Sequence, residues 1–322
     1  MIPFDVPVYS IQEQIALPLR IPKCDLFWSP HFNIPLAPIR ARQRLVTIHD
    51  VYFLSHPQEL SWPKKKYAHL FYHAAATKSD QIITVSEFSK KEILRHIPID
   101  TDKITPIPLG VDPKKFQKQE PLSIKLPSRY ILYVGNLAPH KNLCRLLQSL
   151  DFLPADIHLV LAGKSVRWKE WEKEMIKRES RVTVLGQVSQ ATLAHLYQHA
   201  TLLIHPSLYE GFGLTPLEAM SAGCPVVSSN AASLPEVCLD AALYVDPLSS
   251  EDIARGILSV WTDSSLQEDL RQKGMSRTQA VSWEVSARKH LEIIEKLFSN
   301  PEGSYFRSMS ASDTSSLLSV SS

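Results

Sequence analysis

Two carboxylates, Glu210 and Glu218, stand eight positions apart on either side of a strand-to-helix turn that the sequence predicts. The apolar residues 202–204 are typical of a short buried strand, and the proline and glycine residues after them end it. Thr215 is a suitable N-cap, and Pro216 fits the first helical position, where no N–H is needed. We therefore expect one carboxylate just before the loop and the other in the first turn of the helix.

The turn between the two glutamates is suited to a phosphate. The first N–H groups of a helix have no partner within the helix and carry a partial positive charge. Gly211 and Gly213 lack a Cβ, so a ligand can approach the backbone closely. The flanking carboxylates can accept hydrogen bonds from several hydroxyls, such as those of a sugar and a ribose. These residue types predict one site for a phosphate and a polyol.

Each glutamate also has a plainer interpretation. Thr215-x-x-Glu218 is a capping box, in which Glu218 satisfies only the N–H of Thr215, and Glu210 alone is typical of a solvated loop. The longer string favours a binding site, since residues 210–218 read Glu-Gly-Phe-Gly-Leu-Thr-Pro-Leu-Glu and continue Ala-Met-Ser-Ala-Gly-Cys-Pro-Val-Val. This string resembles the E-x7-E signature of the retaining nucleotide-sugar glycosyltransferases of family 4, also called group 1.

A second string, residues 130–143, places Lys141 in a loop after a predicted strand: Tyr-Ile-Leu-Tyr-Val-Gly-Asn-Leu-Ala-Pro-His-Lys-Asn-Leu. Ligands of open α/β sheets bind beyond the carboxyl ends of the strands, where a lysine can pair with a diphosphate. Alone, Lys141 is typical of a solvated charge, but the string is similar to a family segment whose basic residues contact the donor phosphates. Many relatives carry Arg where this chain has Asn136 or His140, and Lys164 is a weaker substitute for the missing cation.

The resemblance implies a role for each candidate residue. Glu210 would orient the donor sugar, Glu218 would bind the ribose diol, and Lys141 would stabilise the departing diphosphate with the loop amides. His49, at a predicted strand end, resembles a first-domain histidine that contacts the donor sugar, although a lone histidine there is more often structural. The expected catalytic residues are Glu210, His49 and Lys141. The expected nucleotide-binding residues, of which the last two flank the base, are Glu218, Gly135, Asn136, Gly211, Phe212, Gly213, Leu214, Thr215, Leu185 and Gly186.

The resemblance also implies the reaction. A mannose- or glucose-type sugar would move from a nucleoside diphosphate to a hydroxyl of a glycan or lipid-linked acceptor, with retention of configuration and without a metal. The nucleotide sugar is the substrate, so no cofactor is expected. Asp100-x-Asp102 superficially resembles a metal motif, but it lies in a proline-rich stretch without companion ligands. Gly211-x-Gly213 is not a dinucleotide fingerprint, because Pro216 takes the third glycine position.

Composition argues against several other classes of protein. The 322-residue chain has a net charge of +2, which disfavours a nucleic-acid partner. Its four cysteines show no Cys-x-x-Cys spacing, so neither a zinc site nor a disulfide framework is predicted. No apolar run reaches the about 20 residues that span a bilayer, and we expect a cytoplasmic protein. The lysines at 64–66 after Trp62 favour a solvated helix start or, alternatively, peripheral contact with the inner membrane surface.

Strands and helices alternate along the chain, which predicts parallel, doubly wound α/β sheets. The resemblance implies the GT-B fold, in which two Rossmann-like domains face a cleft. Predicted strands begin near residues 25, 45, 81, 103, 130, 157, 182, 201, 224 and 242. Predicted helices cover about 63–77, 86–96, 143–150, 168–178, 190–199, 216–222 and 250–261.

The sequence predicts four segments. A proline-rich stretch predicts an inter-domain connection within 109–129. Residues 1–110 would form an acceptor-side domain and 111–282 the nucleotide-sugar domain. A helix at 283–298 would cross back to the first domain, and 299–322 would be a disordered, Ser-rich tail.

The first domain is expected to be incomplete, because family members usually open with a strand, a glycine-rich loop and a first helix, and the first glycine here is Gly110. This departure leaves a second hypothesis open, that of a degenerate nucleotide-binding protein without turnover. A sugar-nucleotide epimerase of the same fold is a third, which the Glu210 to Glu218 string disfavours.

Overall fold

The computed structural model describes residues 5–116, 125–136, 138–163, 176 and 179–299. The chain forms two compact units, with Met1–Ile107 and Arg288–Ser322 in unit 1 and Pro108–Ala287 in unit 2. Each unit has its own parallel sheet. Lys164, most of the predicted helix 168–178 and the predicted tail after residue 299 lie outside the described residues.

Unit 1 contains a four-stranded parallel sheet in the order β1-β2-β3-β4. Its strands are β1 (Cys24–Ser29), β2 (Ala41–Thr47), β3 (Gln81–Thr84) and β4 (Ile104–Pro106). Its helices are α1 (Ile11–Arg20), α2 (Tyr52–Ser55), α3 (Trp62–Lys78) and α4 (Glu87–His96).

Unit 2 contains a six-stranded parallel sheet in the order β10-β9-β8-β5-β6-β7. Its strands are β5 (Ile131–Val134), β6 (Leu159–Ala162), β7 (Val182–Gly186), β8 (Leu202–His205), β9 (Val226–Ser229) and β10 (Leu243–Val245). The helices are α5 (Leu143–Ser149), α6 (Gln190–His199), α7 (Leu214–Ser221), α8 (Leu234–Cys238), α9 (Ser250–Thr262) and α10 (Ser264–Ala280). They are followed by α11 (Trp283–Ser299), whose residues from Arg288 onward belong to unit 1.

The parallel sheets are covered on both faces, as their apolar strands require. In unit 1, Val46 and Ile82 pack in the same cluster as Phe71 of α3, whereas their chain neighbours Leu45 and Ile83 pack against Leu297 of α11. This division follows from the alternation of side chains along a strand. In unit 2 the same principle buries strand residues against α5 and α9 in one continuous cluster.

The strand order of unit 2 reverses between β5 and β8. The chain runs outward from β5 to β6 and β7 and then returns to β8, which pairs with β5 on its other side. The predicted doubly wound parallel sheet is therefore confirmed. The loops that follow β5 and β8 leave the same edge of the sheet as neighbours.

Four helices were not predicted from the sequence, namely α1, α2, α8 and α10. Two of them, α2 and α8, are short, with four and five residues. The predicted helices begin only near residue 63, but α1 forms before them, with Pro18 inside it and Ser10 as its N-cap. Prolines near the start of the chain concealed this helix, although its Ser-x-x-Glu start is a helix signal. α10 was missed because it buries few apolar residues, of which Leu270 is the largest.

Candidate functional site

The candidate site of unit 2 lies at the carboxyl ends of β5 and β8, where the strand order reverses. Gly135 and Asn136 follow β5, and the loop from Pro206 to Gly213 follows β8. Ligands of open α/β sheets bind at this kind of position. The two strings that contain Lys141 and Glu210 therefore meet at one edge of the sheet.

An ion pair joins the two loops. The Nζ of Lys141 lies 2.6 Å from Oε1 of Glu210, and the two side chains are 17% and 13% exposed. Nε2 of the buried His205, the last residue of β8, lies 3.0 Å from the same oxygen. Since a carboxylate only accepts, Nε2 of His205 must carry the proton. Oε1 of Glu210 is thus held by donors from both loops.

The surroundings of Glu210 keep it ionised. Burial alone would raise its pKa, but the hydrogen bond and charge of His205, together with the Lys141 ammonium, outweigh burial and hold the pKa well below its usual range. At neutral pH the side chain is therefore a hydrogen-bond acceptor and not a general acid.

Ser233, just before α8, fixes the backbone around Glu210. Its Oγ lies 2.9 Å from the carbonyl oxygen of Glu210 and 2.7 Å from that of Phe212. The Ser233 side chain is fully buried, so its hydroxyl has no competing water. The conformation of the loop after β8 is therefore set by a residue more than twenty positions downstream.

The loop that carries Lys141 is fixed by backbone contacts. The N–H of Leu208 donates to the carbonyl of His140 at 2.7 Å. The Nδ2 of Asn142, a residue with a left-handed φ of 61°, lies 3.0 Å from the carbonyl of Pro206 and 2.7 Å from that of Pro247. The Lys141 loop is thus bound directly to the loop after β8.

The predicted start of α7 is wrong. The helix begins at Leu214, with Gly213 as N-cap at φ 106° and without a side-chain cap. Thr215 is therefore the second helical residue and Pro216 the third, so neither takes its predicted position. The capping box does not form, because the left-handed Gly213 starts the helix two residues earlier. Glu218 falls in the second turn, and the first N–H groups of α7 have no side-chain cap.

Among the described residues, the carboxylate of Glu218 makes one hydrogen bond, to a buried tyrosine. Its Oε2 accepts from the hydroxyl of Tyr197 in α6 at 3.2 Å. Burial raises the pKa of Glu218, and the Tyr197 hydrogen bond and the charge of Lys115 offset this only in part. Glu218 therefore has hydrogen-bonding capacity that the fold does not use.

Three glycines at the ends of β5, β6 and β7 bring the backbones close together. Gly163 has φ +144°, and a Cβ on it would lie 2.0 Å from the carbonyl oxygen of Gly135. Its N–H donates to the carbonyl of Gly186 at 2.7 Å. A Cβ on Gly186 would meet no atom within 4 Å. No side chain projects from this edge of the sheet at the three glycines, and the space beside Gly186 is open. Leu185, which is predicted to flank the base, lies next to it.

The predicted residues do not all lie in one unit. Lys141, Glu210, Glu218 and the glycines belong to unit 2, whereas His49 belongs to unit 1. His49 is exposed just beyond β2, and its Nε2 donates to the carbonyl of Pro30 at 3.1 Å.

Sequence reasoning missed three residues that shape the site. His205 ends a strand and precedes a proline, so it was interpreted only as a strand terminator. Its position five residues before Glu210 was the available signal. Tyr197 and Ser233 come from other elements, and no local pattern connects them to either glutamate.

Asp100 and Asp102 act as a turn cap, since Oδ1 of Asp100 accepts from the N–H of Asp102 at 3.0 Å. Within the described ranges, no three His, Cys, Asp or Glu side chains cluster in a way that would hold a metal ion. Metal independence stays a prediction.

Comparison with known proteins identifies the family. A family model described as Glycosyl transferases group 1 matches residues 114–277, and one described as Glycosyltransferase Family 4 matches residues 7–115. O-antigen chain mannosyltransferase B of Escherichia coli is 32% identical over 84% of this chain and 74% of that protein. O-antigen chain mannosyltransferase RfbU of Salmonella typhimurium is 29% identical over 74% of this chain and 66% of that protein.

Solved structures show the same fold. HepE of Anabaena, in complex with UDP-glucose, matches with a TM-score of 0.72 and 19% identity over 85% of this chain and 79% of that chain. Two parallel α/β units, with a lysine–carboxylate pair at a point of strand reversal, define a doubly wound protein of the GT-B class. The chain belongs to the glycosyl transferases group 1 family, or glycosyltransferase family 4. The predicted family, fold class and enzyme class, a hexosyltransferase, are confirmed.

Glu218→Gln is expected to increase the stability of the ligand-free protein at pH 7 by on the order of 1 kcal/mol or less. Because the pKa of Glu218 is raised in the folded state, the native protein loses stability as pH rises through that pKa. The amide has no such cost. The gain should disappear below about pH 4, near the pKa of an unfolded glutamate.

Thermal or urea unfolding at pH 7 and pH 4 measures this difference. Glu292→Gln, at an exposed position of α11, is the matched control and should change stability at neither pH. A Glu218→Gln protein that is less stable than the native one at pH 7 would show that the carboxylate serves the fold.

Proposed function

We propose that this chain is a retaining, metal-independent hexosyltransferase. It moves a mannose- or glucose-type sugar from a nucleoside-diphosphate sugar to a hydroxyl of a glycan or lipid-linked acceptor. The observation that carries the proposal is the ion pair of Lys141 and Glu210 at the edge where β5 and β8 end. The O-antigen mannosyltransferases of Escherichia coli and Salmonella typhimurium support mannose and a glycan acceptor. Retention and metal independence are supported by the E-x7-E string.

The diphosphate binds between Lys141 and the start of α7. A lysine ammonium has three donors, so Lys141 can contact Glu210 and still donate to phosphate oxygens. The uncapped N–H groups of Leu214 and Thr215 add a partial positive charge. Gly211 and Gly213, on either side of Phe212, have no side chain that would block the diphosphate from the start of α7. These groups compensate for the arginine that many relatives carry.

The donor sugar binds to the free oxygen of Glu210. His205 and Lys141 both bind Oε1, and Oε2 accepts no hydrogen bond from any described residue. The ionised carboxylate therefore presents one fixed acceptor to the hydroxyls of a sugar. His205 acts as a positioning residue, because its N–H fixes the rotation of the carboxylate.

The nucleoside binds along the glycine-lined edge. Glu218, whose carboxylate has Tyr197 as its only hydrogen-bond partner among the described residues, accepts hydrogen bonds from the two ribose hydroxyls. Leu185 and Gly186 flank the base in the open space beyond β7, and Gly135 and Asn136 complete the floor at the end of β5.

Catalysis comes from stabilising the charge that develops on the leaving diphosphate. Lys141 and the loop amides are already in place, so little reorganisation is needed when the bond to the sugar breaks. Glu210 is ionised at neutral pH and does not protonate the leaving group. The acceptor hydroxyl attacks the anomeric carbon, and its proton passes to the departing diphosphate. A contact of His49 with the donor sugar stays a prediction that the family resemblance implies.

Calorimetric titration of the full chain with UDP, GDP, ADP and dTDP tests the donor site. We expect one of them to bind with a Kd near 10 μM, which corresponds to about −7 kcal/mol. Glu218→Ala should weaken this binding about tenfold or more, because it removes the ribose acceptor. Glu268→Ala, at an exposed position of α10, is the control and should bind as the native protein does. If none of the four nucleotides binds, the proposal is wrong.

Donor consumption separates an enzyme from a degenerate binding protein. With the matching nucleotide sugar, the native chain should release a sugar whose initial anomer, read by NMR, is that of the donor, and EDTA should not change the rate. Glu210→Gln should still bind the nucleotide but lose turnover. Nucleotide binding without donor consumption would establish the degenerate alternative, and inversion would exclude a retaining enzyme.

Unit 1 also has a surface suited to an anionic membrane. No helix in the described part of the chain is long and apolar enough to cross a bilayer. Trp62 is 67% exposed, and Nζ of Lys66 lies 4.4 Å from its ring centroid. Ile11, Ile15 and Leu19 form an exposed apolar stripe on α1. We propose that the lysines at 64–66 and this stripe make peripheral contact with the inner membrane surface.

Co-sedimentation with phosphatidylglycerol and phosphatidylcholine vesicles tests this contact. The native chain should bind the anionic vesicles, and neutralising the lysines at 64–66 to Gln should weaken binding at least tenfold, since each contributes about 1 kcal/mol. The control variant replaces Lys91 and Lys289, which are both exposed in unit 1, by Gln. Equal binding of the two variants would exclude a specific surface.

A further inference from the structure

Unit 1 contains a buried carboxylate that has no cationic partner. Glu13, in the first turn of α1, is 6% exposed, and no ion pair of the described residues includes it. A buried carboxylate is costly unless neighbouring groups satisfy it. Glu13 therefore needs donors, and the fold supplies only neutral ones.

The neutral donors reach one oxygen only. Oε2 of Glu13 accepts from the N–H of Tyr9 at 2.6 Å and from Nδ2 of Asn33 at 2.9 Å. The hydroxyl of Tyr67 donates to Oδ1 of Asn33 at 2.6 Å and so fixes the orientation of that amide. Burial and the charges of Glu13 and Tyr9 raise the pKa of Tyr67 to about 12, so it remains a donor. Oε1 of Glu13 has no donor among the described residues.

The fold of unit 1 does not need Oε1 of Glu13 as a hydrogen-bond acceptor, because other residues cap and attach α1. The N-terminus of α1 is capped by Ser10, whose Oγ accepts from the N–H of Glu13 at 3.0 Å. Gln14 attaches α1 to the segment after β1, because it donates to the carbonyl of Ile34 at 3.2 Å and accepts from the N–H of Leu36 at 3.0 Å.

An exposed aromatic ring lies beside this carboxylate. Tyr9 is 54% exposed and has a left-handed φ of 62°, which is strained for a residue with a bulky side chain. Its ring meets His31 edge to face at 5.8 Å and Tyr67 at 6.3 Å. Strained, exposed aromatic residues are more typical of binding sites than of a core.

The cluster lies at the carboxyl edge of the unit 1 sheet. His31 and Asn33 follow β1, and His49 follows its neighbour β2. The hydrogen bond from His49 to the carbonyl of Pro30 joins these two loops. This is the edge of a parallel sheet at which ligands bind.

We propose that Glu13, Asn33 and Tyr9 form a sugar-binding site in unit 1. In this site, Oε1 of Glu13 accepts a hydrogen bond from a hydroxyl of the acceptor glycan, and the Tyr9 ring packs against the sugar. The proposal rests on the proposed transferase function, which requires an acceptor hydroxyl. A sugar suits the site better than a metal ion, because one carboxylate without companion ligands does not hold a divalent cation.

Saturation-transfer NMR on the full chain, with methyl α-mannoside and methyl α-glucoside as probes, tests the site. Glu13→Gln keeps the shape of the side chain, and its amide oxygen can still accept the hydrogen bond from the N–H of Tyr9. Its amide nitrogen would face the sugar as a donor where the carboxylate offered an acceptor, so glycoside binding should weaken about tenfold or more. Tyr9→Gly keeps its N–H and suits the left-handed φ, so it should lose binding without loss of thermal stability. Glu59→Gln, which changes an exposed glutamate bonded to Tyr52 in the same unit, is the control.

The outcomes separate this site from the donor site. Glu13→Gln should bind nucleotide as the native chain does, and the glycoside signal should persist when the intact nucleotide sugar is added. Loss of that signal on adding the donor would assign the site to the donor hexose and overturn the acceptor assignment. Equal glycoside binding by native, Glu13→Gln and Tyr9→Gly proteins, with nucleotide binding intact, would overturn the proposal while leaving the donor site standing.

Discussion

The carboxylate of Glu210 is the group on which the organisation of unit 2 depends. It is largely buried at the edge of a sheet, where a lone charge would be costly. Lys141 reaches it from the loop after β5, and His205 reaches it from the end of β8. Both can do so only because β5 and β8 are neighbours, which the reversal of strand order produces. The doubly wound topology thus creates the place where one carboxylate can have two donors.

In both units, certain polar atoms have no hydrogen-bond partner among the residues that the structure describes. In unit 2 these are Oε2 of Glu210 and the unused capacity of Glu218, and in unit 1 Oε1 of Glu13. Each side chain is fixed through its other oxygen by neutral or charged donors. Such groups reduce the stability of the ligand-free protein, and natural proteins accept this cost where function needs a preorganised site. The same chemical pattern in both sheets is consistent with sugar hydroxyls as the shared ligand chemistry.

Those features of the fold and of the site that depend on local sequence pattern could be predicted from the sequence. The alternation of apolar runs located the strands of both sheets, and the two strings placed Lys141 and Glu210 in loops that follow strands. The start of α7 was predicted wrongly, because helix propensity does not reveal the left-handed conformation of Gly213, where a Cβ would lie 2.7 Å from the Leu234 side chain. His205 and Tyr197 were missed as partners, since their contacts depend on the order of strands and helices in space.

A double-mutant cycle on the free energy of unfolding, with Lys141→Met, Glu210→Gln and the double variant, tests whether Lys141 and Glu210 join the two loops as a buried pair. If the two loops are joined by a buried pair, Lys141→Met alone should cost about 3 kcal/mol, because it leaves Glu210 with His205 alone. Adding Glu210→Gln should recover most of this loss, which gives a coupling energy above about 1 kcal/mol. The exposed pair Lys273 and Asp269 is the control, and its cycle should show no coupling. Additive effects of Lys141→Met and Glu210→Gln would show that the two side chains do not stabilise the fold as a pair.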